Sequence, residues 1–211
     1  MKTDDLIDAL AVGLEPVKPA RASPLLLAAA AVAAVVGVVV LLGVRPDLVQ
    51  ALGGSTPWLK GLYTLTLAVA AVRLATRLGR PGVDARPAAA VLFAVVAVVA
   101  GAGAIELALT TPDQRMVVWL GRSWDICGRN ILLIAAVTAP FVCLSARAVA
   151  PTRPSTAGAA LGVMTGAVAA TAYGLLHCPE ATVAFVATWY TLGVAAAGVI
   201  GAIVGRFALR W

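Results

Sequence analysis

The residues with chemistry to offer sit in two short stretches. In HCPE, His177, Cys178 and Glu180 fall within four residues, and in GRSWDICGRN lies Cys127. A thiolate, an imidazole and a carboxylate so close together can ligate a soft metal cation, especially if Cys127 adds a second sulfur. Equally, the imidazole can lower the thiol pKa and make Cys178 responsive to oxidants. Pro179 shapes the turn. Two plainer arrangements stand beside these: a structural disulfide between Cys127 and Cys178, or two unrelated cysteines. Cys143 cannot join them. It follows Cys127 on what should be one helix, roughly 24 Å away at ~1.5 Å per residue, and a disulfide needs Cα atoms within about 7 Å.

This material does not suit an enzyme. One histidine and three cysteines leave little for a triad or a multi-ligand metal site. The trio in HCPE is too short-range to imitate a triad, whose base is oriented by a group from elsewhere. No resident cofactor is expected, only a transient soft metal ion at the cysteine pair.

The elements that must carry these residues are membrane helices. Of 211 residues, 61% are hydrophobic and 12% charged, against about 25% charged in soluble domains. The mean hydropathy is +0.96. Six apolar segments reach or approach the ~20 residues that cross a bilayer: 24–44, 57–78, 87–109, 128–147, 156–176 and 182–205. The predicted fold is an all-α, six-transmembrane-helix bundle spanning 23–211, behind a short N-terminal amphipathic helix and tether over 1–22. The acidic N-terminus lacks the basic region of a secretory leader, so none is expected.

Orientation follows from the bases. With the N-terminus inside, eleven Lys and Arg fall on the inner face and five on the outer. Both termini are therefore expected in the cytoplasm, with Cys127 and Cys178 outside in an oxidising compartment. This division also accounts for the net charge of +6 without invoking nucleic acid. Span interiors are nearly free of ionisable groups, which argues against a transporter. Glu106, near the outer end of span three, is expected to pair with Arg115, Arg122 or Arg129. In span five Gly158, Gly162, Gly166, Ala170 and Gly174 recur every fourth residue, and in span six Gly193, Ala197, Gly201 and Gly205 do likewise. Such stripes let backbones approach closely and predict a tight hairpin of spans five and six.

The opening MKTDDLIDALAVGLE reads differently. Thr3 or Asp4 can cap a helix, and Asp4, Asp5 and Asp8 favour its positive end. Leu6, Ile7, Leu10 and Leu14 form one apolar stripe. Residues 1–15 hold one base, Lys2, and four acids, the wrong sign for an anionic lipid surface. An acidic amphipathic helix suits a basic-rimmed groove on a protein partner. The plainer alternative is a leader helix packed on its own membrane domain.

The opening MKTDDLIDAL, the six spans, a cysteine at the outer edge of span four and HCPE in the outer turn together resemble the NrsF-type family over essentially the whole chain. The resemblance implies an anti-sigma factor of the bacterial inner membrane that holds an extracytoplasmic-function sigma factor inactive. It further implies that residues 2–14, with Lys2, Thr3, Asp4, Asp5, Leu6, Ile7, Leu10 and Leu14, form the partner-binding opening. Cys127 and Cys178 match the family's outward-facing pair, linked to release under heavy-metal or oxidative stress. Two other classes compete. A thiol-disulfide exchange protein usually carries Cys-x-x-Cys, which is absent. A structural membrane subunit would simply dock a soluble partner.

Overall fold

The computed structural model describes residues 3–12, 23–80, 82–146 and 151–209. Among them there are helices and no strands. The amphipathic opening is α1 (Thr3–Ala11). It is followed by α2 (Pro24–Leu42), the short α3 (Leu48–Leu52), α4 (Thr56–Leu78), α5 (Arg86–Leu109), α6 (Pro112–Leu120), α7 (Trp124–Ala146), α8 (Pro154–Leu176) and α9 (Val183–Ala208). Six helices are long and apolar enough to cross a membrane, the fourth counted as α6 and α7 together. Pro24, Pro57, Pro87, Pro112 and Pro154 stand in first turns, where a missing N–H costs nothing.

The fourth span departs from the expected 128–147. The helix begins at Trp124, and α6 lies ahead of it as a separate piece. Gly121 makes the break: its φ of 59° is left-handed, and a Cβ there would meet the Glu180 carboxylate and the Phe185 ring. Cys127 thus sits in the first turn of a helix rather than before it.

The expected hairpin of α8 and α9 is present and forms the centre of the bundle. A methyl group on Gly158 would strike the Gly201 carbonyl, and one on Gly162 the Ala197 carbonyl. Ser155 Oγ reaches across to the Ala202 carbonyl at 3.2 Å. Because lipid offers no hydrophobic drive between helices, such close backbone contact is what holds a membrane hairpin. Around it pack α4 and α7, while α5 is the least buried span.

The pairing expected for Glu106 is not formed. Its Oε2 accepts the Ala184 backbone N–H at 2.7 Å, satisfying a donor in the first turn of α9. Arg115 instead donates to the carbonyls of Thr110 and Ala108. An exposed helix-end N–H at the bilayer edge costs more than a solvated guanidinium, so the carboxylate serves the helix.

Two spans contain π-turns, Val38–Leu42 in α2 and Val186–Tyr190 in α9. Both lie toward the end of the bundle that carries HCPE. Such turns re-aim side chains and often mark functional sites.

Candidate functional site

Cys127, from the first turn of α7, and Cys178, just past the last turn of α8, meet in the interior. Both are wholly buried free thiols, and they hydrogen-bond to each other. Cys178 is set in place by the end of its helix, since its N–H and that of His177 both reach the Tyr173 carbonyl at 3.0 Å. The Cys127 hydrogen bond draws the Cys178 thiol down to about 6 against the opposing effect of burial, and the Lys60 ammonium acts in the same sense. A thiol so lowered carries thiolate character near neutral pH.

Three tyrosine and amide groups complete the surroundings. Tyr173 bonds to Cys127 and to Asn130. Tyr190, delivered by the π-turn of α9, lies beside Cys178. Its wholly buried hydroxyl is turned to the Cys178 thiol.

The turn itself is clamped from three sides. Lys60 Nζ, on a side chain only 4% exposed, donates to the carbonyls of Cys178 at 3.0 Å and Glu180 at 2.7 Å. Arg45 adds a guanidinium contact to the Cys178 carbonyl at 3.3 Å and a backbone bond to Leu176. That guanidinium is oriented by Asp47 at 2.6 Å. His177 Nδ1 lies 2.9 Å from the Gly43 carbonyl, an arrangement that needs the proton on Nδ1, and its ring packs against Tyr173. Glu180 Oε1 accepts the Arg122 N–H at 2.8 Å and the Ser123 hydroxyl at 3.0 Å, so the carboxylate serves the start of the helix that bears Cys127.

The four candidate ligands are therefore not brought to one point. The two thiols meet, but His177 and Glu180 are turned to other partners. No group of three or more His, Cys, Asp or Glu able to hold a metal occurs among the described residues. A two-sulfur site remains, and it suits soft cations or oxidants. Cys143 is exposed in the opposite half of α7. Lys2 and Leu14 lie outside the described residues, while Thr3, Asp4, Asp5, Leu6, Ile7 and Leu10 are all exposed on α1.

Sequence reasoning counted Lys60 only as an outer-face base and passed over Asn130, Tyr173 and Tyr190. A cation three residues after Pro57, inside an apolar segment, was the available signal. Nearby, Trp189 packs on Trp119 and Trp124. Its indole N–H bonds to the Trp119 carbonyl at 2.9 Å, sealing α6 against α9.

Among the described residues, six helices of membrane-spanning length gather around a buried pair of free thiols, the form of a multi-pass membrane protein. The family model described as negative regulator of sigma F matches residues 10–211. The chain is 43% identical over 220 residues to an anti-sigma-F factor NrsF of Caulobacter vibrioides, covering all of both chains. It is 35% identical over 214 residues to a probable anti-sigma-F factor NrsF of Azospira oryzae, again over all of both. The chain belongs to the NrsF family, a regulatory and not an enzymatic class. No solved structure matches it.

Proposed function

We propose that this chain is an anti-sigma factor of the bacterial inner membrane that sequesters an extracytoplasmic-function sigma factor through α1 and releases it when the dithiol reacts. Residues 1–22 are the cytoplasmic partner-binding helix and tether, and 23–211 the membrane domain. The uneven division of Lys and Arg supports both termini in the cytoplasm and the thiols in the periplasm.

The observation that carries this reading is α1. None of its residues is buried, and Leu6, Ile7 and Leu10 present a bare apolar stripe beside Asp4, Asp5 and Asp8. A helix of nine residues is marginal alone in water, so the stripe calls for a partner, and its acids favour a basic one. On the far side, two thiols in contact can be joined by a soft metal or by a two-electron oxidant. Either event replaces a hydrogen bond with a covalent or coordinate link and shifts the first turn of α7 against the end of α8.

The test is a sigma-dependent reporter read together with membrane protein level. The Leu6→Asp/Leu10→Asp double variant should derepress the reporter at normal protein level, because a charge on a buried stripe is costly. Repression retained at normal level would remove α1 as the binding element. Cys127→Ser and Cys178→Ser should each blunt induction by thiol-reactive metals, with the double variant no worse than either, as a shared site requires. Cys143→Ser should leave induction intact. If loss of either Cys127 or Cys178 lowers abundance and raises basal output without stimulus, the pair is structural and not a sensor.

A further inference from the structure

The outward face of α4 changes character once along its length. Leu62, Thr66 and Val69 are exposed there. Thr66 returns its hydroxyl to the Leu62 carbonyl at 2.6 Å, so the row presents hydrocarbon. At the same spacing of three or four residues the row continues in Arg73, Arg77 and Arg80, all exposed. Arg80 lies just past the helix, but its N–H reaches the Arg77 carbonyl at 3.1 Å and keeps it on the turn. This is the end of α4 away from Lys60 and the thiols.

The chain does not neutralise these arginines itself. Among the described residues none of the three forms an ion pair. The acid of the α4–α5 connection, Asp84, turns its carboxylate to the Arg86 backbone N–H at 2.9 Å and offers Arg77 only its carbonyl, also at 2.9 Å. Helix residues four apart stand about 5–6 Å from each other at Cβ, so Arg73 and Arg77 can close on one phosphate, a group that the guanidinium fork matches. From Arg73 back to Leu62 the helix extends about 17 Å at ~1.5 Å per residue. That is close to the depth of one leaflet, half of a ~30 Å hydrocarbon core. Charge and apolar row thus lie on one face, in the order of a lipid's headgroup and tail.

We infer that this face of α4 is a binding site for an anionic phospholipid, with the phosphate held between Arg73 and Arg77, Arg80 at the rim, and an acyl chain laid along Val69, Thr66 and Leu62. Basic residues at the inner end of a span attract anionic headgroups, and the long arginine side chains can reach the headgroup level from their places on the helix. The site does not depend on the sigma-factor reading, since it needs only that α4 crosses a bilayer.

The test is native mass spectrometry of the full chain released from nanodiscs of equal phosphatidylglycerol and phosphatidylcholine with matched chains. The wild type should retain phosphatidylglycerol over phosphatidylcholine on the order of tenfold. The Arg73→Gln/Arg77→Gln double variant, which changes only exposed side chains, should lose that preference. Should the double variant fail to insert, Arg73→Gln alone should lower the preference by about threefold. Arg115→Gln/Arg129→Gln, also exposed but toward the other end of the bundle, should leave it unchanged. Equal retention of the two lipids by the wild type would overturn the proposal, as would a preference that survives in the Arg73/Arg77 variant or falls as far in the Arg115/Arg129 variant. A preference that appears only in Asp4→Asn/Asp8→Asn would assign the arginines to the acidic α1 and overturn it equally.

Discussion

The two ends of the bundle are held by different means. At the thiol end, distant segments are joined by polar clamps: Lys60 to the HCPE turn, His177 to Gly43, Glu180 to the start of α7 and Glu106 to the start of α9. At the other end, α8 and α9 are joined by backbone pressed on backbone at Gly158, Gly162, Gly201 and Gly205. Polar clamps inside a low-dielectric region are strong while complete and costly when broken. Backbone contacts of small residues have no such discrete states. One end is thus built from bonds that can be exchanged, and the other from shape.

The largest effect expected from this contrast is at the shape-built end. Gly158→Leu places a side chain against the backbone of α9, and overpacking of a rigid contact costs about 3 kcal/mol or more when neither wall can move. Membrane protein level and thermal unfolding should both collapse. Gly101→Leu on α5 meets nothing within 4 Å and should leave both unchanged. Were the two variants equally tolerated, the hairpin would not be the structural centre.

Next in size is the clamp at Lys60. Lys60→Met removes the donor to two carbonyls; Arg45 still reaches that of Cys178, while that of Glu180 loses its donor, at a cost of about 1–3 kcal/mol. The more specific readout is the thiol pair. A bifunctional bromobimane should join Cys127 to Cys178 in the wild type and do so poorly in Lys60→Met, with recovery in Lys60→Arg. The pH profile sharpens this. The thiolate is the nucleophile, and Cys178 is held down to about 6 by Cys127 and, further, by Lys60. Alkylation by a small thiosulfonate should therefore be level at neutral pH, fall as pH drops through about 6, and shift its midpoint upward in Lys60→Met. An unmoved midpoint would reduce Lys60 to a backbone clamp.

The same contrast explains what could be read in the sequence. The hairpin was legible because its contacts repeat at helical spacing, a local pattern that survives folding. So were the six spans and the prolines that begin them. The thiol end was legible only in part. Cys127 and Cys178 stood out by type. Their clamps did not, because each depends on where a remote segment arrives: Lys60 meets the Cys178 carbonyl across 118 residues, and Glu106 meets Ala184 across 78. A lysine near a span end reads as a topology marker until a carbonyl-rich turn is known to cover it. His177 and Glu180 were read as ligands from adjacency to Cys178, yet neighbours along a turn point in different directions, and each found a backbone partner instead. The π-turn that delivers Tyr190 leaves no mark in periodicity at all.

The smallest effect tests whether the clamps at the thiol end are separable. Glu106 serves the start of α9, on the α5 side of the bundle, and touches neither thiol. Glu106→Gln keeps an acceptor for the Ala184 N–H and loses only the charge near the helix end, worth about 0.3–1 kcal/mol. Glu106→Ala leaves that N–H without a partner and should cost about 1–3 kcal/mol. Unfolding temperatures should therefore fall in the order wild type, Gln, Ala, with the Gln variant lower by about 2–4 °C at most for a chain of this length. Bromobimane joining of Cys127 to Cys178 should be unaffected in both, in contrast to Lys60→Met. If Glu106→Gln weakened that joining as much as Lys60→Met does, the clamps would act as one cooperative network, and the thiol end would be as indivisible as the hairpin.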